Sequence, residues 1–267
     1  MFELSVNDGV AELKLNRPEK MNAMGQAFWD ELPQYVKQID ENFDIRAAIL
    51  IAEGKAFSVG LDFFDMMPAL GIGQSGPDGE RQRQLHELIR RMQWAVTSVE
   101  RCRVPFIAAI HGYCLGGGID LVTACDMRLS TDDAVFSVRE PKVAIVADIG
   151  TLQRLPRLIG VGQARELIYS GRDIDGKTAH TIGLVNRTFE SRELLLDAAR
   201  SLASEIASNA PLAVQGSKRV MIEATRGDLD RELEYVATWN AAHLLTQDLG
   251  IAVSAFANKQ TPTFLGR

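Results

Sequence analysis

Short apolar runs alternate with longer amphipathic stretches over the first two thirds of the chain. Residues 10–15 alternate apolar and polar side chains up to the turn 16–18, which is typical of a strand entering a turn. The runs 47–52 and 106–110 are wholly apolar, as in strands buried on both faces. Two further short strands are predicted at 127–130 and 134–136.

Helical periodicity fills the segments between these strands and takes over the end of the chain. Helices are predicted at 25–40, 79–102 and 117–124, so strands and helices alternate as in an α/β domain. After residue 192 only helical patterns remain, at 194–208, 211–224 and 228–258. We therefore divide the chain into an α/β domain, 1–194, and a helical region, 195–267.

One connection stands apart from these periodic segments. Residues 68–78 contain three glycines and two prolines without a clear period, which indicates a loop and the segment of the chain most prone to move.

Composition narrows the class of protein. The 267 residues are 46% hydrophobic and 24% charged, as in an ordinary globular protein. A net charge of −6 argues against nucleic acid or an anionic membrane as partner, since both bind mainly Lys and Arg. No apolar run reaches the roughly 20 residues of a membrane helix. The three cysteines lack zinc spacing, and no targeting signal is visible, so we expect no metal and a cytoplasmic location.

Two strands lead into glycine turns that resemble each other. Strand 47–52 leads to the turn 57–62, and strand 106–110 leads to 111–120, which contains three consecutive glycines. If the turns converge, the N–H groups of Leu61 and Gly117 can stabilise negative charge on a carbonyl oxygen. The alternative is that the glycines serve only close packing of helix against strand.

Two carboxylates border an apolar segment further along the chain. Glu140 and Asp148 enclose a run rich in Val, Ala and Ile, where burial would raise carboxyl pKa values toward neutrality. Alternatively, Glu140 caps a turn before Pro141 and Asp148 caps a helix that begins near Gly150.

The sequence lacks the motifs of phosphate-binding loops, dinucleotide-binding sites and serine hydrolases. The glycine turn 112–118 is not followed by Lys-Ser/Thr, no Gly-x-Gly-x-x-Gly opens an early βαβ unit, and there is no Gly-x-Ser-x-Gly elbow. The four histidines are scattered without metal or triad spacing.

Three segments carry a resemblance to a known family. Residues 107–126 (IAAIHGYCLGGGIDLVTACD), 16–23 (NRPEKMNA) and 55–62 (KAFSVGLD) resemble the crotonase, or enoyl-CoA hydratase/isomerase, superfamily. The match runs in order over essentially the whole chain. It implies a spiral of ββα units followed by a helical trimerisation region, with an acyl-CoA thioester as substrate and no separate cofactor. It also implies that Leu61 and Gly117 supply the oxyanion hole.

The acidic residues indicate a branch of this family. Hydratases carry glutamate at the positions matching 120 and 140, whereas this chain has Asp120 and Glu140. It also has Asp148 where hydratases typically have glycine. The set Asp120, Glu140 and Asp148 resembles the Δ3,5-Δ2,4-dienoyl-CoA isomerases, in which double bonds of a 3,5-dienoyl-CoA move to the 2,4 positions.

Under this resemblance Glu140 removes the C2 proton, Asp148 protonates C6, and Asp120 tunes Glu140 or holds a water. The substrate contacts implied by the family are Lys55, Ser58, Val59, Gly60, Leu61, Asp62 and Gly117. Hydration of a 2-enoyl-CoA by Asp120 and Glu140 is the second hypothesis, and a non-catalytic acyl-CoA-binding protein is the third. The pathway stays open between fatty-acid β-oxidation and aromatic-acid degradation.

The helical region is predicted to mediate assembly. Its apolar positions exceed what one thin helical layer could hide, which favours burial between the subunits of a homotrimer or a dimer of trimers. The positions expected at this interface include Leu194, Leu195, Leu202, Val236, Trp239, Leu244 and Leu245.

Overall fold

The computed structural model describes residues 1–71, 77–225 and 229–262. Its strands are β1 (Phe2–Asn7), β2 (Val10–Leu15), β3 (Ala47–Ala52), β4 (Ala56–Ser58), β5 (Phe106–Ile110), β6 (Tyr113–Leu115), β7 (Met127–Thr131), β8 (Val135–Ser137), β9 (Ile174–Asp175) and β10 (Arg187–Phe189). Its α-helices are α1 (Gln26–Glu41), α2 (Phe63–Met66), α3 (Asp78–Arg101), α4 (Gly117–Ala124), α5 (Thr151–Ile159), α6 (Val161–Ser170), α7 (Gly176–Thr181), α8 (Arg192–Ser208), α9 (Pro211–Thr225), α10 (Leu229–His243) and α11 (Gln247–Ala257). None of these helices is long and apolar enough to cross a bilayer.

The strands form two sheets, and the chain passes repeatedly from one to the other. The first sheet has the order β1-β2-β3-β5-β7-β10, and the second has the order β4-β6-β8-β9. The consecutive pairs β3/β4, β5/β6 and β7/β8 each place one strand in each sheet before the chain continues into helical structure. This repeated ββα unit confirms the predicted α/β spiral.

Strand β3 is apolar throughout because both of its faces are buried. Ala48 and Leu50 face the main hydrophobic core, whereas Ile49 and Ile51 face a second cluster. Helix α8 covers that second face with Leu195, Ala199, Ala203 and Ala207. Full burial of an Ile or Leu side chain contributes about 1.5–3 kcal/mol, so covering both faces stabilises the centre of the sheet.

The structure differs from the predicted elements in several places, and strands β1, β9 and β10 are among those that were not predicted. Strands β4 and β6 were not predicted, because they overlap the segments 57–62 and 111–120, whose glycines predict turns. The single helix predicted at 228–258 is two helices, since α10 ends at His243 and Thr246 caps α11 by accepting a hydrogen bond from Leu249 N at 3.2 Å. In the loop predicted at 68–78, residues 72–76 lie outside the described residues.

The helical region is joined closely to the rest of the chain. The predicted boundary between residues 194 and 195 falls inside α8, which packs on the first sheet. The expectation that Leu195 and Leu244 are buried between subunits is wrong, because both are buried within the single chain. Leu194 and Leu245 are exposed, and Leu202 is half-buried. The side chains of Val236 and Trp239 lie outside the described part.

Gly112 provides a test of the close crossing between the two sheets. It joins β5 to β6 with φ +59°, and a Cβ on it would lie 2.0 Å from the Lys55 carbonyl oxygen. We expect Gly112→Ala to lower the free energy of unfolding by about 2–5 kcal/mol, through left-handed strain and overpacking. Gly162→Ala is the matched control, because Gly162 lies in α6 with no atom within 4 Å of the added Cβ. Urea unfolding that ranks the two variants equally would contradict this account.

Candidate active site

The pairing of β4 with β6 brings the two glycine turns into contact. The strands are parallel, with Ala56 opposite Tyr113 and Ser58 opposite Cys114. Gly60 has φ +83°, and a Cβ there would lie 2.8 Å from the Leu115 carbonyl oxygen and 3.0 Å from the Gly117 nitrogen. A side chain at position 60 would therefore separate the turns, which makes glycine a packing requirement at this point.

Leu61 and Gly117 lie side by side where these turns meet. A Cβ on Gly117 would be 3.9 Å from the Leu61 nitrogen. Gly117 is the first residue of α4, so its N–H has no partner within the helix. Among the described residues neither N–H group donates a hydrogen bond to another residue. Two unpaired donors at one helix end can hold an oxygen that gains negative charge.

Both donors line a cavity of about 670 Å³. Most of its wall is apolar, and all three predicted acids, Asp120, Glu140 and Asp148, also line it. The apolar wall includes Val59, Phe64, Ile89, Met92, Ile149 and Phe256. The two predicted N–H donors and the three predicted acids, from distant parts of the sequence, are thus collected on one apolar cavity.

Asp120 is held by Thr151, the first residue of helix α5. It lies in α4 and is 1% exposed, and its Oδ1 accepts hydrogen bonds from the Thr151 N–H at 2.6 Å and the Thr151 hydroxyl at 2.7 Å. Burial raises its pKa above the ordinary value, while the Thr151 bonds and the charge of Arg154 oppose that shift. One oxygen of Asp120 is therefore fully occupied by Thr151.

Glu140 begins a short 3₁₀ helix, Glu140–Val143, beside the other acids. Its Oε2 is buried and has no hydrogen-bond partner among the described residues. Burial raises the pKa of Glu140 well above its ordinary value, and the charges of Asp120 and Asp148 raise it further. A carboxylate without donors in an apolar wall is a stronger base than one in water.

Asp148 is buried, and it accepts hydrogen bonds from side chains of two helices, α3 and α10. Its Oδ2 accepts a hydrogen bond from Asn240 Nδ2 in α10 at 2.6 Å, and its carbonyl oxygen accepts one from Gln93 Nε2 in α3 at 2.6 Å. Burial raises its pKa to about 7, although the Asn240 bond acts in the opposite direction. Asp148 can therefore hold a proton at neutral pH.

The alternative capping roles are not what the structure shows. Helix α5 is preceded by Gly150 and receives no side-chain cap there, so Asp148 does not cap it. The 3₁₀ helix at Glu140 likewise has no side-chain cap. It is Asp120 that accepts the first N–H of α5, through Thr151.

The predicted substrate contacts separate into two groups. Val59, Leu61, Asp62 and Gly117 line the cavity, whereas Lys55, Ser58 and Gly60 do not. The Ser58 hydroxyl donates to the Asn22 carbonyl at 2.9 Å and accepts from Gly60 N at 3.1 Å, which fixes the turn. Asp62 also caps α2 and pairs with Arg17 at 2.9 Å.

Lys55 is exposed outside the cavity wall. Cationic residues on that wall are Lys20, Arg139 and Lys142.

Sequence patterns did not reveal the residues that support the acids. Thr151, Asn240 and Gln93 all donate to Asp120 or Asp148, and each lies on a helix remote in sequence from its acceptor. Their only sequence signal is a polar residue within a helical pattern, which does not identify a partner. Within the described residues, no group of three or more His, Cys, Asp or Glu side chains is arranged to hold a metal ion.

Comparison with known proteins places this site in a family. Residues 5–267 match the family described as enoyl-CoA hydratase/isomerase. The chain belongs to this family. It is an enzyme of the crotonase superfamily, as its sequence predicted, and the alternative of a non-catalytic binding protein is not favoured.

The names of individual relatives describe more specific activities than the family does. A peroxisomal Δ3,5-Δ2,4-dienoyl-CoA isomerase of Arabidopsis thaliana is 42% identical over 97% of this chain and 94% of its own length. A mitochondrial Δ3,5-Δ2,4-dienoyl-CoA isomerase of Mus musculus is 43% identical over 96% of this chain and 79% of its own length. The crystal structure of an enoyl-CoA hydratase/isomerase from Pseudoalteromonas atlantica superposes with a TM-score of 0.84 at 27% identity, covering 99% of both chains.

These comparisons also correct one expectation. The chain was expected to be cytoplasmic, but the Arabidopsis relative is peroxisomal and the mouse relative is mitochondrial. The absence of a recognisable targeting pattern was therefore a poor guide to compartment.

The buried acids of this crotonase-family site should lower stability at neutral pH. Asp148 has a folded pKa of about 7 against an ordinary value of 3.8, so the folded chain holds the proton more tightly and loses stability as pH rises between these values. Asp148→Asn cannot ionise, and its amide oxygen can still accept from Asn240. We expect it to raise the free energy of unfolding at pH 8 by about 1–4 kcal/mol relative to wild type.

Urea unfolding at pH 8 and near pH 4.5 measures this difference, which should shrink at the lower pH. Asp133→Asn, at an exposed aspartate, is the control. A gain for Asp148→Asn that is the same at both pH values would show that ionisation is not its cause.

Proposed function

We propose that this enzyme converts a 3,5-dienoyl-CoA into a 2,4-dienoyl-CoA. The observation that carries the proposal is the third acid, Asp148, which is buried on the same apolar cavity as Glu140 and the Leu61 and Gly117 N–H donors. A long-range proton shift along an elongated substrate requires a base, an acid and an oxyanion site in the same cavity. The two dienoyl-CoA isomerases described above support the same reaction.

In the proposed mechanism Glu140 acts first. Its carboxylate removes a proton from C2, and the electrons move onto the thioester oxygen, which the N–H groups of Leu61 and Gly117 stabilise. The resulting dienolate extends from C1 to C6. No metal is needed for this step, because the two N–H groups supply the charge stabilisation.

Asp148 completes the shift. Its carboxyl group gives a proton to C6, so the double bonds move from C3 and C5 to C2 and C4. Glu140 then holds the proton taken from C2 and Asp148 is ionised, and proton exchange restores both groups for the next cycle. With a pKa of about 7, Asp148 can both hold and release a proton at neutral pH.

Asp120 is the residue that separates isomerase from hydratase in this proposal. Its Oδ1 is occupied by two bonds from Thr151, and its side chain is one methylene shorter than the glutamate of hydratases. Both features weaken its ability to share a water with Glu140, because small displacements of catalytic groups are costly. We assign Asp120 the role of raising the basicity of Glu140 through its nearby charge.

The coenzyme A part of the substrate would extend out of the cavity past its cationic residues. Lys20, Arg139 and Lys142 lie on the cavity wall and can meet its phosphates. Lys55, exposed next to the first turn, stays a proposed contact with the part of the coenzyme outside the cavity. The coenzyme enters only as part of the thioester.

Two variants separate the proposed acid from the proposed base. Asp148→Asn should lower the rate of 3,5-dienoyl-CoA isomerisation by about 10²–10⁴, because C6 loses its proton donor. Solvent deuterium should still enter C2, since Glu140 and the oxyanion hole are intact. Glu140→Gln should abolish both processes. Isomerisation is followed by the absorbance of the conjugated product, and exchange by mass spectrometry.

The hydratase hypothesis is tested with the same wild-type preparation. Its kcat/KM for 3,5-dienoyl-CoA should greatly exceed that for hydration of a 2-enoyl-CoA. Faster hydration than isomerisation, or unchanged dienoyl turnover in Asp148→Asn, would reject the proposed reaction.

We also propose that the enzyme assembles as a homotrimer or a dimer of trimers. The family resemblance implies this state, and helix α9 supports it with the exposed apolar residues Leu212, Val220 and Met221. Their exposure would be removed by a symmetric partner.

Light scattering at micromolar concentration should give three or six times the mass of one chain. Val220→Glu should reduce that mass, because it places a charge on the apolar face, whereas Val220→Thr keeps the shape and should retain the assembly. A monomeric wild type would contradict the proposal.

A further inference from the structure

Asn240 links the helical region to the proposed acid. It lies in α10, is 2% exposed, and its Nδ2 donates to Asp148 Oδ2 at 2.6 Å and to the Val146 carbonyl oxygen at 2.8 Å. Both hydrogens of one amide group are therefore committed to the segment that carries Asp148. The first of these bonds reaches the carboxyl group itself.

This bond has a consequence for the proton of Asp148. In a neutral carboxyl group the carbonyl oxygen is a better acceptor than the hydroxyl oxygen, so the oxygen that accepts from an amide is favoured as the carbonyl and the proton lies on the other oxygen. No described side chain donates to the other oxygen, Oδ1. When the carboxyl group is neutral, its proton is thus directed to Oδ1.

We propose that Asn240 is a positioning residue, which binds Oδ2 of Asp148 and thereby places the transferable proton on the other carboxyl oxygen, Oδ1. This inference rests on the proposed isomerase function. It adds to that function a residue that does not touch the substrate and acts through the acid. An acid that can rotate or carry its proton on either oxygen would deliver it to C6 less often.

Gln93 offers a matched comparison for this role. Its Nε2 donates to the carbonyl oxygens of Asp148 at 2.6 Å and of Leu233 at 3.1 Å, so it supports the same segment through the backbone alone. Like Asn240, it is a buried neutral amide. Loss of Gln93 removes structural support, whereas loss of Asn240 also releases the carboxyl group.

The charges around Asp148 determine what a pH profile can report. Burial raises the pKa of Asp148, and the charge of Asp120 in α4 raises it further. Asp148 in turn raises the pKa of Glu140 in the 3₁₀ helix, and Arg154 in α5 donates to the neighbouring Ile149 carbonyl at 3.3 Å. The bonded groups from α3 and α10 are the neutral amides of Gln93 and Asn240. Because the Asn240 bond favours the ionised form, its loss should move the alkaline limb of activity upward in pH.

The experiment compares wild type, Asn240→Leu and Gln93→Met as full-length proteins with 3,5-dienoyl-CoA. Asn240→Leu is close in shape and has no donor. We expect its kcat to fall about 10–100-fold, the range for one hydrogen bond to a charged group. Its KM and its rate of C2 deuterium exchange should change less than kcat. The alkaline limb should move upward in Asn240→Leu and stay in place in Gln93→Met.

Asn240→Asp provides a second measurement that does not depend on the folding of Asn240→Leu. It places a carboxyl group against Asp148, and the two acids would share a proton, which should move the alkaline limb further upward. Circular dichroism checks the fold of each variant.

The outcomes are distinguishable. If wild type does not isomerise the diene, the proposed function fails. If wild type isomerises it but the Asn240 variants keep the wild-type pH profile, the positioning role fails. A fall of kcat and C2 exchange by the same factor in Asn240→Leu, or an equal pH shift in Gln93→Met, would also overturn it, since either result indicates structural damage.

Discussion

The contact between two glycine turns is the constraint on which the rest of the site depends. Strands β4 and β6 pair in parallel, and Gly60 packs directly against the backbone at Leu115 and Gly117. This contact places two unpaired N–H groups side by side at the start of α4. The same helix carries Asp120 one turn further on, so the oxyanion site and the first acid have a fixed relation.

Three buried carboxyl groups then give the cavity its chemical character. Each has a raised pKa because the wall around it is apolar, and each is supported differently: Asp120 by Thr151, Asp148 by Asn240, and Glu140 by no donor on Oε2. The pKa of Glu140 is raised to about 8 and that of Asp148 to about 7, so the proposed roles of base and acid rest on where each carboxyl group meets the substrate. Because burial raises these pKa values, we expect the arrangement to lower stability at neutral pH, as is common where function requires buried charge.

The helical region contributes residues to the wall of the same cavity. Helix α8 covers the outer face of the first sheet, α10 supplies Asn240, and α11 contributes Phe256 to the cavity wall. A division of the chain at residue 194 therefore describes a change of secondary structure. In the folded chain, residues on both sides of that point build the site.

The sequence alone determined much of the fold and of the candidate site. The apolar runs gave β3 and β5, the helical periods gave α1, α3 and α4, and the glycine turns together with Asp120, Glu140 and Asp148 indicated the family. These features are local or depend on motif spacing. The short strands β4 and β6, the break between α10 and α11, and the donors Thr151, Gln93 and Asn240 were decided by the tertiary structure. Strands β4 and β6 overlap segments whose glycines predict turns, so only their pairing in the fold shows them to be strands. A hydrogen bond between Asn240 and Asp148, 92 residues apart, exists only after the chain has folded.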